Sequence, residues 1–199
     1  MSEPRSSAAQ THPISNIMPP TSGNTVPRVP IEPGTMLSLR QAHDVTLSPD
    51  GQRVAFTLSA FVADRQKVQA RIWTVETSGR DEAQPLTKGP GDDVHPRWSP
   101  DNRQLAYVST GEGEKEKPQL YVIAAHGGEA RRVCTMPNGV SEPEWAPDGN
   151  RIALLSLEGE ELPRDPLVVL PTCHRRLWIV RPDVTIPEPV TPDHLTVWE

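Results

Sequence analysis

Apolar residues in this chain gather in short runs, each closed off by turn-forming residues. Residues 54–58, 105–108 and 152–155 are nearly continuous apolar stretches, the pattern of strands covered on both faces. At 71–76, Ile72, Trp73 and Val75 are set among polar neighbours, which suits an antiparallel strand. Each of the three apolar stretches follows the same turn. Leu47-Ser48-Pro49-Asp50-Gly51 returns as Trp98-Ser99-Pro100-Asp101-Asn102 and again as Trp145-Ala146-Pro147-Asp148-Gly149. The steps are 51 and then 47 residues, close to the period of roughly 40–50 that marks propeller blades of four short strands.

Each turn has a physical logic. A large apolar residue (Leu47, Trp98 or Trp145) is expected to end one strand against the core. The proline then fixes φ near about −65° at the second position of a tight turn. Asp50, Asp101 and Asp148 are suited to hydrogen-bond the turn backbone through their carboxylates. The next position favours φ > 0, which Gly51 and Gly149 adopt freely and Asn102 tolerates. A type I turn followed by a left-handed residue reverses the chain, so an antiparallel strand should follow.

The predicted fold class is all-β: a partial β-propeller of about three four-stranded blades plus the start of a fourth, with a disordered N-terminal leader. The leader is residues 1–33, rich in Ser, Thr and Pro. The partial propeller is residues 34–199, with blades near 44–92, 93–140 and 141–193 and a stub at 194–199. Residues 34–43 are given a short helix, leading into an inner strand at 44–47; 84–87 is a short outer edge strand. In the second blade, strands are expected at 95–98, 105–109, 120–123 and 130–134, with a solvated loop at 111–117. The third has 142–145 and 152–157, a longer loop to Arg176, then 177–180 and 188–191. Propellers close with about 4–8 blades. Three blades and a stub leave two open edges, so the sequence is expected to be a fragment or a unit completed by another copy, self-associating through those edges.

Composition narrows the function classes. A hydrophobic content of 35% and a mean hydropathy of −0.51 are low for a self-sufficient core, and 23 prolines argue against helical architecture. With net charge −6 there is no basic footprint for nucleic acid. Cys134 and Cys173 make neither a disulfide framework nor a paired metal spacing, and read as two buried free thiols. No stretch approaches the roughly 18 apolar residues of a membrane span, and the polar N-terminus does not read as a signal peptide. The expected location is cytoplasmic.

The order of these elements resembles a known family. An apolar strand, Ser48-Pro49-Asp50-Gly51, Arg53-Val54-Ala55-Phe56, Ile72-Trp73-Thr74-Val75, Pro85-Leu86-Thr87 and then Trp98-Ser99-Pro100-Asp101 is similar to the N-terminal propeller of the prolyl oligopeptidase family. Its acylaminoacyl-peptidase-like branch is the nearest. Further shared features are the leader into Leu37-Ser38-Leu39-Arg40, the insert at 164–169 before Leu177-Trp178, and the ending at 191–199. The resemblance implies a serine peptidase acting on short or N-acylated peptides, in which an α/β-hydrolase domain supplies Ser, Asp and His and the propeller gates entry. The turn motif is shared with other propellers, notably that of the Tol-Pal system, so the alternative is a non-enzymatic propeller scaffold for protein interaction.

No residue of the chain inherits a catalytic role. The family's nucleophile sits in a Gly-x-Ser-x-Gly elbow; the nearest match, Gly139-Val140-Ser141-Glu142-Pro143, lacks the final glycine and falls in an expected blade loop. Catalytic, cofactor-binding and metal residues are therefore all read as none, and no cofactor is expected. Some residues invite sharper readings. His95 and His174 are potential bases, and Cys173 beside His174 a potential nucleophile pair, although adjacent residues of an extended strand face opposite ways. Asp92, Asp93 and His95 suggest a metal, against which stands a solvated blade loop. Glu158, Glu160 and Glu161 suggest a rim that meets a peptide amino terminus, against which stands a plain surface loop. Trp73, Trp98, Trp145 and Trp178 read as core at equivalent blade positions, since a nucleic-acid stacking platform needs basic neighbours.

Overall fold

A computed structural model describes residues 39–111, 116–158 and 174–192 of the chain. The leader at 1–33, residues 112–115 of the solvated loop, residues 159–173 with the insert at 164–169, and the stub at 194–199 lie outside them. Twelve strands form three four-stranded antiparallel sheets, each taken in chain order from its inner to its outer strand. The first holds β1 (Arg40–Leu47), β2 (Arg53–Val62), β3 (Lys67–Glu76) and β4 (Gln84–Pro85). The second holds β5 (Asp93–Trp98), β6 (Gln104–Ser109), β7 (Gln119–Ala124) and β8 (Arg131–Arg132). The third holds β9 (Ser141–Trp145), β10 (Ile152–Glu158), β11 (His174–Arg181) and β12 (Val184–Pro189). This is a partial β-propeller of three blades, as the repeat predicts. Among the described residues there is no α-helix, only one 3-10 turn at Ala63–Arg65.

The helix expected at 34–43 is corrected where it can be compared. Arg40 to His43 belong to β1 and pair with Ala60 to Thr57 of β2; residues 34–38 lie outside the described set. The reason is tertiary. β2 continues to Val62 and offers those residues a ladder, which outweighs local helix preference.

The three turns close as their chemistry predicts. Gly51, Asn102 and Gly149 have φ of 71°, 62° and 70°. The N–H groups of Gly51 and Asn102 donate to the carbonyls of Ser48 and Ser99 at 2.8 and 3.0 Å. In the first two turns the serine hydroxyl does double duty. Ser48 Oγ donates to Asp50 Oδ1 at 2.6 Å while accepting from Arg53 N at 2.9 Å. Ser99 repeats both bonds with Asp101 and Gln104 at 2.6 and 2.9 Å. Each aspartate also takes a backbone N–H, from Gln52, Arg103 and Asn150 in turn. Those bonds lower the aspartate pKa values: the Ser48 and Ser99 hydroxyls act first at Asp50 and Asp101, and the Asn150 N–H at Asp148. The third turn has Ala146 where the others have serine.

Period-two alternation divides the core. On β6, Leu105 and Tyr107 join Ala55, Ile72 and Trp98 between the first and second sheets. Ala106 and Val108 point the other way, joining Trp145, Ile152, Leu154 and Val180 between the second and third. The double cover predicted for 105–108 is thereby realised. The blades are also stitched by indoles, since Trp98 Nε1 donates to the Thr46 carbonyl at 3.4 Å and Trp145 Nε1 to that of Arg97 at 3.1 Å. Arg53 crosses in the same way, donating to the Ala125 carbonyl at 2.9 Å with its guanidinium over the Trp98 ring.

Two core assignments change. Leu47 stands where Trp98 and Trp145 stand, yet it is 56% exposed; those tryptophans face the preceding blade, and the first sheet has none before it among the described residues. The four tryptophans also do not share one position. Trp98 and Trp145 end inner strands and are buried. Trp73 and Trp178 lie on third strands and are half-buried, Trp178 packing against the second-to-third core.

Ala146→Ser should restore the missing hydroxyl bridge and raise unfolding free energy by about 0.5–1.5 kcal/mol, read as a shift of the urea midpoint at constant m. Leu154→Ala, at a fully buried site, should lower it by about 2–5 kcal/mol.

Candidate functional site on the inner strands

Each inner strand carries one residue too many for its neighbour. Between His43 and Thr46, between Val94 and Arg97, and between Ser141 and Glu144, the register slips. Two residues then face one: Asp44 and Val45, His95 and Pro96, Glu142 and Pro143. The first of each pair is left-handed, with φ of 51° at Asp44, 55° at His95 and 50° at Glu142. For residues bearing a Cβ this costs about 1–2 kcal/mol each. A strained bulge repeated at one position in three blades re-aims polar side chains from the innermost strands. Pro96 and Pro143, next in line, are fully buried and anchor the bulge.

The first two bulges are joined across the blade boundary. Asp44 Oδ2 accepts from His95 N at 3.4 Å and stands 3.6 Å from His95 Nδ1. The same oxygen accepts from Thr57 Oγ1 at 3.2 Å and lies 3.1 Å from His43 Nδ1. Burial alone would raise the Asp44 pKa, but the charges of His95 and His43 and the His95 N–H outweigh it, so the net shift is downward. The third bulge is tied within its own blade, Glu142 Oε1 lying 3.6 Å from Arg175 Nη1.

One arrangement here was not anticipated from the sequence. Ser59 Oγ lies 2.9 Å from His43 Nε2, and His43 Nδ1 lies 3.1 Å from Asp44 Oδ2. With the proton on Nδ1 this is the hydroxyl–imidazole–carboxylate order of a serine hydrolase. The surroundings do not complete it. Ser59 sits within β2, opposite Gln41 on one side and Ala70 on the other, not on the strand-to-helix turn that exposes a nucleophile beside backbone donors. The relay therefore acts as a polar lock between β1 and β2. Its only sequence signal is the pair His43-Asp44, whose relation to Ser59 depends on strand register.

The residues singled out earlier scatter. Asp92, Asp93 and His95 do not converge, and among the described residues no group of three His, Cys, Asp or Glu is placed to hold a metal. Asp92 Oδ1 accepts from Ala70 N at 3.0 Å, while His95 faces Asp44. The solvated-loop reading fails for Asp93, which opens β5 and is 2% exposed. Its burial raises the carboxyl pKa, against the Ser109 and Thr87 hydroxyls and the Arg71 charge; Oδ2, 3.6 Å from Arg71 Nη1, has no hydrogen bond. Glu158 ends β10, where its Oε2 accepts from Arg176 Nη1 at 2.6 Å and lies 3.7 Å from His174 Nε2. Glu160, Glu161 and Cys173 lie outside the described residues. Ser141 begins β9 rather than lying in a loop, since Leu155 pairs with it. The free Cys134 thiol is buried, which pushes its pKa up to about 11.

Asp44 and Asp93 should bend the pH–stability curve in opposite senses. The folded-state pKa of Asp44 is lowered, so its contribution is present above the ordinary carboxylate range and is lost as pH falls through the folded value. Asp44→Asn should lower the urea midpoint at pH 7, and the deficit should shrink toward pH 3. Asp93 is raised, so the chain loses stability as pH rises through its folded value; Asp93→Asn should compare best with the unsubstituted chain at pH 7 and lose ground toward pH 4.

Comparison with known proteins agrees with this architecture. The family described as the TolB beta propeller domain matches residues 42–163. The uncharacterized peptidase YuxL of Bacillus subtilis is 39% identical over 99 residues, which are 50% of this chain and 15% of that protein. Dipeptidyl-peptidase 5 of Porphyromonas endodontalis is 29% identical over 109 residues, 55% of this chain and again 15% of the relative. The chain thus spans a small part of the length of both peptidases. Among solved structures, the β-propeller domain of the Trilobed protease from Pyrococcus furiosus superposes with a TM-score of 0.54 at 17% identity, covering 78% of this chain and 44% of that one. The chain belongs to the TolB beta propeller domain family, and its propeller resembles those of prolyl oligopeptidase-family peptidases.

Proposed function

We propose that this propeller serves as the substrate-gating part of a serine peptidase of the prolyl oligopeptidase type, with the nucleophile on an α/β-hydrolase domain that these 199 residues do not include. The observation that carries this reading is the 39% identity to a peptidase over half of the chain. The geometry is in keeping with it. The chain offers a blade scaffold whose inner strands carry polar, re-aimed side chains, and the Ser59–His43–Asp44 relay joins two strands of one sheet. A gate of this kind selects by size, admitting short or N-acylated peptides to a water-poor site. A cytoplasmic location is part of the same proposal. The scaffold reading, in which the propeller only binds protein partners, leans on the description of the domain family.

Two measurements test the proposal, and the second separates it from the scaffold reading. The chain alone should hydrolyse neither dipeptidyl nor N-acyl-aminoacyl chromogenic amides, and a fluorophosphonate probe should leave Ser59 and Ser141 unlabelled; turnover or labelling would expose a catalytic site within the propeller. Grafting residues 40–189 in place of the matching segment of YuxL should yield a folded chimera that cleaves short amides and spares long peptides. A folded chimera without peptidase activity would instead favour the scaffold reading.

A further inference from the structure

The two blade junctions within the chain are filled unequally. Blades radiate from an axis, so the gap between neighbours widens toward their outer strands. Between the second and third sheets the chain after β8 closes that gap, and Val133, Cys134 and Met136 are buried in the core there. Gln119 holds the Met136 backbone, donating to its carbonyl at 2.9 Å and accepting from its N–H at 2.8 Å. Between the first and second sheets the counterparts of Val133 and Cys134 are Leu86 and Thr87, both buried. Gly89, however, stands where Met136 does, four residues beyond the end of the outer strand. No described atom lies within 4 Å of where a Gly89 Cβ would stand. A cavity of about 790 Å³ remains, a size that suits a small molecule.

Its lining is graded. Leu86, Ile123 and the stacked Tyr107 and Tyr121 form an apolar and aromatic wall, the two rings 5.8 Å apart. The exposed charged lining is mainly acidic, Glu76, Asp81 and Glu82 standing against Lys88, with His126 beside them. Arg53 is held by the Ala125 carbonyl and the Trp98 ring. The most buried charge of the lining is Asp93, 2% exposed. Among the described residues its Oδ2 has no hydrogen-bond partner. Arg71 Nη1 stays 3.6 Å from it while donating to the carbonyls of Ala70 and Gly91. β9 begins with Ser141 where β5 begins with Asp93, so blade closure does not require a carboxylate at this place. A buried oxygen without a donor is a cost to the fold, and a donor from outside the chain would remove it.

We propose that this cavity binds a small primary amine with an apolar body, the body against Leu86, Ile123 and the two tyrosines and the ammonium directed toward Asp93. A buried carboxylate favours a cation that brings its own N–H donors. The acidic rim draws the same charge inward, and the aromatic wall suits both the body and the cation. The loop that bounds the cavity is already fixed, since Gln69 Nε2 donates to the Pro90 carbonyl at 2.7 Å and Asp92 Oδ1 accepts from Ala70 N at 3.0 Å. The site is independent of the peptidase reading and is tested by binding, where that reading is tested by turnover.

The test is calorimetric titration of the 199-residue chain with phenethylamine, and with phenethyl alcohol as its uncharged counterpart. The amine should bind one to one with a Kd of about a millimolar or tighter. It should move the ring resonances of Tyr107 and Tyr121 and leave the Met136 methyl in place. The alcohol should bind at least about tenfold more weakly, and so should the amine to Asp93→Asn, because a charge-assisted contact is lost. Gly89→Met should weaken the amine by a similar factor, filling this junction as Met136 fills the next. The amine–alcohol comparison needs no substitution, so it decides the matter if a variant melts out by circular dichroism. The proposal is overturned by a lack of saturable binding, by equal affinity for amine and alcohol, or by a shift at Met136 in place of the tyrosines. Full affinity in a folded Asp93→Asn or Gly89→Met variant overturns it equally.

Discussion

Every blade of this protein is a sheet with two apolar faces, and that constraint shapes the rest. On β6 the alternation sends Leu105 and Tyr107 to one neighbour and Ala106 and Val108 to the other. Such a sheet cannot be stable in water by itself; it needs a blade on each side. The second sheet has both, and its strands β6 and β7 are almost wholly buried. Among the described residues the first and third have one each, and both carry exposed large apolar side chains. The same requirement explains the inter-blade bonds of Trp98, Trp145 and Arg53, which sit where each blade meets the next.

Within a blade, local chemistry and long-range pairing divide the work. The Ser-Pro-Asp turn is self-contained: its hydroxyl, carboxylate and backbone bonds join residues within five positions of one another. The inner-strand bulge is the opposite kind of feature. Its left-handed residue is Asp, His or Glu, and no residue type forces that conformation. It arises because the inner strand carries one more residue than the ladder accepts, and buried Pro96 and Pro143 hold the slip in place. The polar side chains re-aimed there, above all Asp44 between two histidines, form the most distinctive electrostatic feature of the described residues.

This division explains which readings of the sequence held. The turns were legible because proline, aspartate and glycine act on their own backbone, so their geometry follows from identity alone. Asp93 was misread as solvated because a carboxylate flanked by Gly91 and Asp92 has no local mark of burial. It is buried, and the hydroxyls that bond it, those of Ser109 and Thr87, come from other stretches of the chain. Leu47 was misread for a related reason: an apolar residue signals a need for cover, not whether cover exists. The Ser59–His43 contact escaped notice because it depends on a cross-strand diagonal.

By itself the sequence determined the repeat, the turn geometry and the strand-rich blade plan, all written in residue types at short range. The register of β1 on β2, the burial of Asp93, the bulges at Asp44, His95 and Glu142 and the uncovered faces at the two ends were decided only by tertiary structure. The physical reason is that strand pairing joins residues up to 28 positions apart and blade stacking joins residues about fifty apart, and the free energy of those contacts belongs to the pair of surfaces rather than to either stretch of chain.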